Sequence, residues 1–238
     1  MTARAMPKCF GLIGGLGMPS TLYYYQALTR AYAERGIPAR FFVANADFDH
    51  VLGLIAAKDH SALADYFATL IRSLALAGAE YTALSAVMPH VCIPELVDRS
   101  LLPVVDIVEV LKQHLAARHI ERVALLGTRV TMTSRLFGRL PHLEVLDLTA
   151  QTMNEVQRIY TSIQLSGSAT PEDTVYLKSL GQRLHNRGAQ AIVVAGTDLT
   201  GVLKEDAELF PVFDCAKAHI EAIVERALPR LEAVTANQ

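Results

Sequence analysis

Short apolar runs alternate along the first half of the chain with longer amphipathic stretches. The runs "KCFGLIG", "ARFFVAN" and "EYTALSA" are each followed by a segment with helical periodicity, over 20–35, 60–77 and 93–99. Strands that alternate with helices in this way are typical of a parallel sheet joined by crossover helices. The pattern therefore predicts the α/β class.

The second half of the chain repeats the alternation. It carries the runs "ERVALLG", "LEVLDL" and "AQAIVVAG", with predicted helices over 151–165, 171–187 and 215–232. The most loop-like stretch is "SGSATPE", where Thr170 followed by Pro171 marks a helix start. Each half is thus predicted to build its own parallel sheet flanked by helices.

The two halves also resemble each other in sequence. "FGLIGGLG" matches "VALLGTRV", "GAEYTALSA" matches "GAQAIVVAG", and "LLPVVD" matches "LFPVFD". The three matches share an offset of about 110 residues, which favours an internal duplication over a chance likeness between Gly-Ala-strand patterns. We predict two similar lobes related by a pseudo-twofold axis, one formed by 1–98 plus 212–238 and the other by 99–211.

Two lobes related in this way bring the carboxyl ends of their strands face to face. Ligands of open α/β sheets bind beyond those ends, so the cleft between the lobes is the predicted site. The loops expected to line it carry hydroxyls, glycines and backbone amides with few charges, which suits a carboxylate ligand. The predicted substrate-binding residues are Gly15, Asp47, Ser85, Ala86, Val87, Met88, Thr128, Thr131, Gly196 and Thr197. For the threonines, the alternative is that each only caps a helix.

Composition narrows the range of partners. The chain is 51% hydrophobic and has 22 Lys and Arg against 24 Asp and Glu, which gives no basic field for a nucleic acid. No run approaches the ~18 apolar residues of a membrane span. Its three cysteines lack CxxC spacing and are expected to be reduced thiols. These features indicate a cytoplasmic protein without nucleic-acid or membrane partners.

Two other kinds of site are disfavoured. The glycine-rich "GGLGMPS" lacks the third small residue of a dinucleotide fingerprint, and the chain has no Gly-Lys-Ser/Thr of a P-loop. Asp47, Asp49 and His50 could chelate a metal, but they form one cluster without a second ligand group. A solvated loop is the better interpretation, and no metal or cofactor is predicted.

Seven segments, taken in order and spacing, resemble the aspartate/glutamate racemase superfamily. They are "GLIGGLGMPST", "NADFDHV", "GAEYTALSAVMPH", "LPVVDIVE", "ALLGTRVTM", "GAQAIVVAGTDL" and "FPVFDCAKAHIEAIVERAL". The resemblance covers almost the whole chain. It implies a duplicated α/β fold, a small-molecule carboxylate ligand, catalysis without a cofactor, and a homodimer.

The chain departs from this family at both of its catalytic positions. The family's usual Cys-Asn-Thr-x-His motif falls on 86–90, where only His90 matches. Its Gly-Cys-Thr-Glu motif falls on 195–198, where Thr197 and Asp198 keep the hydroxyl and the acid while Gly196 replaces the thiol. The resemblance therefore implies a divergent member that lacks both cysteines.

The missing thiols change the predicted chemistry. Inverting an α-carbon without a cofactor requires a base on one face and an acid on the other, and Ala86 and Gly196 offer neither. We predict that His90 and Asp198 carry out acid–base catalysis of an isomerase, lyase or cyclase type. Two alternatives stay open: a non-catalytic ligand-binding relative, and an amino-acid racemase that uses relocated residues such as Cys92 or Cys215.

Overall fold

The computed structural model describes residues 6–203 and 209–228, and these form two parallel β-sheets flanked by helices. The first sheet has the order β2-β1-β3, with β1 at Phe10–Gly14, β2 at Phe41–Asn45 and β3 at Tyr81–Leu84. The second sheet has the order β5-β4-β6-β7, with β4 at Arg122–Gly127, β5 at Glu144–Val145, β6 at Ala191–Ala195 and β7 at Val212–Asp214.

The helices lie between these strands in sequence. Those of the first half are α1 (Met18–Glu34), α2 (Phe48–Ala56), α3 (His60–Leu76), α4 (Ile93–Val97) and α5 (Ile107–Ala117). Those of the second half are α6 (Arg129–Thr133), α7 (Ala150–Ser166), α8 (Pro171–Asn186), α9 (Thr197–Leu203) and α10 (Cys215–Ala227). Within the described residues, no helix is long and apolar enough to span a membrane.

The strands β2-β1-β3 of the first sheet correspond in order to β5-β4-β6 of the second. In the second sheet, β7 pairs beyond β6, and in the first sheet Val104 forms a single parallel bridge with Thr82 of β3. The matched prolines behave alike: the Pro103 carbonyl accepts from Thr82 N–H at 3.0 Å, and the Pro211 carbonyl accepts from Ile192 N–H at 2.8 Å. The predicted α/β fold of two similar lobes is therefore confirmed.

Each sheet is covered by a helix that lies, in sequence, outside the segment that holds the strands of that sheet. The apolar side of α10, which includes Ile220 and Ile223, packs on Phe10 and Leu12 of the first sheet. In the same way, α5 packs on the second sheet, which follows it in the chain. The two lobes therefore hold each other's covering helices.

The predicted lobe boundaries, 1–98 plus 212–238 and 99–211, stay a prediction. The helix α10 packs on the first sheet, whereas β7 pairs within the second, so the chain passes from one lobe to the other at Asp214. Residues 1–5, 204–208 and 229–238 of these ranges lie outside the described part of the chain.

The central strands are buried along their whole length because helices cover both faces of each sheet. All residues of β1 and β6 are buried, which explains why these strands read as continuous apolar runs rather than as alternating patterns. The predicted helices over 20–35, 60–77, 151–165 and 171–187 are confirmed with small shifts at their ends. The predicted helix over 215–232 is α10, and its last residues lie outside the described part.

Candidate functional site

A narrow cleft opens at the carboxyl ends of the strands of both sheets. Its lining comes from both lobes and consists of Leu16, Gly17, Pro19, Ser20, Phe48, Ala86, Val87, Met88, Thr128, Tyr160, Gln164, Ala195, Thr197 and Asp198. Asp198 supplies the carboxyl group of this lining, and the described lining residues include no lysine or arginine.

Six of the predicted site residues meet in this cleft. They are Ala86, Val87 and Met88 after β3, Thr128 after β4, and Thr197 and Asp198 after β6. The Thr128 hydroxyl also caps α6 by accepting from the Thr131 N–H at 3.3 Å. Capping uses the hydroxyl oxygen as an acceptor, and the hydroxyl proton can go either to the Thr131 hydroxyl, 3.2 Å away, or to a ligand. The two interpretations of this threonine are therefore compatible.

The other predicted substrate-binding residues support the cleft without lining it. Gly15 has a positive φ of 73°, and a side chain there would meet the Ala46 carbonyl at 2.3 Å. Its N–H donates to the Thr21 hydroxyl at 2.9 Å, which fixes the turn that leads into α1. Thr131 is fully buried and donates to the Thr128 carbonyl at 2.8 Å.

Two further predicted positions also lie outside the lining. Asp47, expected in a solvated loop, instead caps α2 by accepting from the His50 N–H at 3.1 Å. Ser85 is fully buried, and its hydroxyl has no hydrogen-bond partner among the described residues. Its carbonyl accepts from Ser20, which ties the loop after β3 to the start of α1.

His90 lies behind the cleft wall rather than on it. The side chain is fully buried, and Nδ1 is 2.8 Å from the Ala86 carbonyl. Because a carbonyl only accepts, Nδ1 carries the proton. Burial lowers the pKa of His90, which favours the neutral imidazole. The described structure therefore gives His90 a contact with the Ala86 backbone and no direct contact with the cleft.

Tyr160 and Gln164 of α7 are site residues that the sequence analysis missed. Both line the cleft, one helical turn apart, together with Asp198. Burial raises the pKa of Asp198, and the polar groups of Tyr160 and Gln164 oppose the rise. Burial also raises the pKa of Tyr160 well above its usual value. The second-lobe wall is thus a phenol–carboxyl–amide cluster.

Cys92 and Cys215 are unsuitable as replacements for the missing catalytic thiols. Cys92 and Cys215 are buried, and neither lines the cleft. Burial raises the pKa of Cys92 to about 12, with the Glu95 charge adding to the rise, and burial also raises the pKa of Cys215. Both thiols are therefore protonated at neutral pH. Over the described ranges, no group of three or more His, Cys, Asp or Glu is placed to hold a metal ion.

Solved structures of similar fold match most of the chain. A Yersinia pestis protein described as a candidate Asp/Glu racemase is 26% identical, with a TM-score of 0.84 over 93% of this chain and 100% of its own. An aspartate racemase homologue from Pyrococcus horikoshii OT3 is 24% identical, with a TM-score of 0.81 over 92% and 99%. An arylmalonate decarboxylase is 16% identical, with a TM-score of 0.54 over 92% of each chain, and shares the fold.

A sequence model of one family matches residues 13–223, which include both strand-end loops that form the cleft. This range begins within β1 and ends within α10, so both lobes take part in the match. The chain therefore belongs to the Asp/Glu/Hydantoin racemase family.

Proposed function

We propose that this protein acts on a small molecule that carries a carboxylate, through acid–base chemistry of an isomerase, lyase or cyclase type that uses neither two thiols nor a cofactor. One observation carries the proposal: the carboxyl group that faces the cleft is that of Asp198, beside Tyr160, while Ala86 and Gly196 stand where the resemblance implies the family's thiols. Proton transfer is therefore confined to the wall of the second lobe.

Asp198 is suited to one-sided proton transfer. Its raised pKa brings the carboxyl closer to neutral pH, where it can both hold and release a proton. A bound carboxylate raises this pKa further, because two like charges about 4 Å apart repel by about 4 kcal/mol at an effective dielectric constant of 20. We therefore expect the protonated Asp198 to accompany a carboxylate ligand, and the affinity to fall as the pH rises through this pKa.

His90 takes a supporting part in this proposal. Its Nδ1–H donates to the carbonyl of Ala86, whose side chain lines the cleft. His90 is thus proposed as a positioning residue for the loop after β3. Its predicted role as a general acid or base stays a prediction, since a group in this place would need the loop to move.

The range of chemistry agrees with what structural neighbours are described as doing. The neighbours include a Picrophilus torridus protein described as an aspartate racemase and a protein described as an arylmalonate decarboxylase, which is a lyase. The apolar side chains of Val87 and Met88 also favour a ligand with a hydrocarbon portion beside its carboxylate. We therefore place aryl- and alkyl-substituted malonates beside amino acids among the compounds to test.

The first experiment separates this proposal from amino-acid racemisation. L-aspartate, L-glutamate and substituted malonates are each incubated with the protein in D2O and followed by NMR. We expect no deuterium incorporation at the α-carbon of aspartate or glutamate, and conversion of a larger carboxylate that is lost in Asp198→Asn and kept in Asp49→Asn. Rapid α-proton exchange that survives in Cys92→Ala and Cys215→Ala would contradict it.

The second experiment tests the carboxylate site. Thr128 and Thr197 follow the neighbouring strands β4 and β6 of the second sheet and both line the cleft, and Val in place of either keeps the shape but removes a hydrogen bond to a charged group. Each change should weaken binding by about 1.5–3 kcal/mol, whereas Thr128→Ser and Thr197→Ser should bind as the wild type does. Unchanged affinity in both valine variants would refute the assignment of the two hydroxyls.

A non-catalytic ligand-binding protein is the second candidate function, favoured by the absence of any thiol from the described cleft lining. The two candidates differ in a simple measurement. A compound that raises the melting temperature and is recovered unchanged after long incubation supports binding alone.

We also propose a cytoplasmic homodimer, on the strength of the family resemblance. Sedimentation equilibrium at micromolar concentration tests the oligomeric state, and a single species at the monomer mass would contradict the dimer.

A further inference from the structure

Gly196 joins β6 to α9 at the back of the cleft, and its lack of a side chain has a specific cause. Its φ lies outside the left-handed region in which glycine is favoured, so the backbone does not require glycine here. A Cβ atom at this position would lie 2.5 Å from Cε2 of Tyr160 and 3.0 Å from the Tyr160 hydroxyl. The glycine is therefore required by the Tyr160 ring.

The Tyr160 ring is held in this place from two directions. Tyr160 is 7% exposed and belongs to the core of the second lobe together with Ile159 and Ile163 of the same helix. On its other side the ring faces the cleft together with Asp198, two residues after Gly196, and Tyr160 acts to lower the pKa of that carboxyl. In the first lobe, the described cleft wall continues from Ala86 as Val87 and Met88.

We propose that Tyr160 has taken the space of the side chain that the family carries at position 196, and that the Tyr160–Asp198 pair has replaced the second thiol as the proton-donating group of that wall. The packing of Tyr160 against position 196 is independent of function. The role of the Tyr160–Asp198 pair rests on the proposed function, because the pair acts on whatever ligand the cleft binds. A phenol and a carboxyl donate protons most readily to oxygen, so the pair would stabilise negative charge that develops on an oxygen of the substrate.

The packing of Tyr160 against position 196 is tested by a double-mutant cycle in the full chain without ligand. Gly196→Ala should lower the Tm by about 5 °C because the new methyl group forces the ring out of its place. In a Tyr160→Leu background, the same change should leave the Tm unchanged or raise it. Gly201→Ala is the matched control, since a Cβ there meets nothing within 4 Å. Equal losses from Gly196→Ala in both backgrounds would overturn this packing assignment.

The pairing of Tyr160 with Asp198 is tested through the titration of Asp198, followed by carboxyl ¹³C NMR. Tyr160→Phe keeps the ring and removes the hydrogen bond that lowers the pKa of Asp198, so this pKa should rise. Tyr25→Phe, which removes an exposed hydroxyl, should leave it unchanged. An unchanged Asp198 titration in Tyr160→Phe would overturn the pairing. Both tests use the free protein, so their failure is distinct from a failure to find a substrate.

Discussion

His219 and His90 are buried imidazoles that lie edge to face, with their ring centroids 5.9 Å apart. The Nε2 atom of His219 is 2.8 Å from the Val105 carbonyl, so this nitrogen carries the proton, and Nδ1 accepts from the Tyr24 hydroxyl at 2.8 Å. The hydrogen bond from Tyr24 requires the neutral ring, because a protonated Nδ1 cannot accept. The burial of His219, and secondly the charge of His90, lower its pKa to about 3.

This geometry predicts how stability depends on pH. The pKa of folded His219 lies below its usual value of 6.5, so the neutral ring contributes stability that is complete above about pH 6.5 and lost as the pH falls towards 3. We expect His219→Gln to reduce the slope of the unfolding free energy against pH between 6 and 4 by about 1.4 kcal/mol per pH unit at most. The measurement is urea unfolding at a series of pH values.

The matched control is His142→Gln, which changes an exposed histidine. Its slope should equal that of the wild type. A His219→Gln slope that also equals the wild-type slope would show that His219 is not a source of the acid sensitivity.

At the residue scale, the sequence predicted the cleft residues that directly follow strands. Ala86, Thr128 and Asp198 could be found because a parallel sheet brings the ends of its strands to one edge. Tyr160 could not be found, because it lies in the middle of a helix and reaches the cleft only through the packing of α7. The short distance between Tyr160 and Gly196 is a tertiary contact that no local pattern encodes.

At the element scale, helix α2 was missed because Asp47, Asp49 and His50 were interpreted as a polar loop. The sequence does contain a pattern that indicates this helix. Asp47 is a good N-cap residue, and the apolar residues of "FDHVLGLIA" continue at helical spacing, with Val51 buried. The helices α5 and α10 follow the same rule, since both begin directly after the aspartate of the repeated "PVVD" and "PVFD" segments.

These two repeated caps differ in their surroundings. Asp106 accepts from the Val108 N–H at 3.0 Å and also forms an ion pair with Arg139. Burial of Asp106 opposes its ionisation, but Arg139 and neighbouring groups outweigh this and lower its pKa. Asp214 accepts from the N–H groups of Ala216 and Lys217, and its pKa is raised by burial. The duplicated element therefore carries opposite pKa shifts in the two lobes.

We expect the two aspartates to contribute unequally to stability. Asp214→Ala should cost about 1 kcal/mol of unfolding free energy through the lost cap. Asp106→Ala should cost about 2–4 kcal/mol, because it also leaves the largely buried Arg139 without its partner. Asparagine at either position keeps the helix cap but removes the charge, so Asp106→Asn and Asp214→Asn show how much of each loss comes from the cap. Chemical denaturation of the four variants decides the order, and a larger loss from Asp214→Ala would contradict it.

At the scale of the whole molecule, the sequence predicted the duplication and assigned 212–238 to the first lobe and 99–211 to the second, an assignment that stays a prediction. The matched segments "LLPVVD" and "LFPVFD" marked equivalent places in the two halves. The helices that follow these segments pack as that assignment expects, α5 on the second sheet and α10 on the first. The pairing of Val104 with the first sheet and of β7 with the second was not predicted, because periodicity does not say with which sheet a short strand pairs.

The exchange of covering helices between the two halves of the chain predicts that the two lobes unfold together. Ile223 of α10 is fully buried on the first sheet, and Ile223→Ala should cost about 2–5 kcal/mol. Native-state hydrogen exchange should then show equal losses of protection for the β1 and β6 amides, because neither sheet keeps its cover when the other opens. Leu165→Ala, at an exposed position, is the control. Loss of protection in β1 alone would show that the lobes open independently.

The exchanged helices also reverse the order in which the two lobes can be completed during synthesis. The strands of the first sheet leave the ribosome early. Phe10 and Leu12 nevertheless stay uncovered until α10 is made, and α10 is translated after every described strand. The second sheet has the opposite history, because α5 has already emerged when β4 and β6 are made. The amino-terminal lobe is thus the last to be finished, and a ribosome that stalls before α10 leaves a nascent chain whose exposed apolar sheet is a target for chaperones.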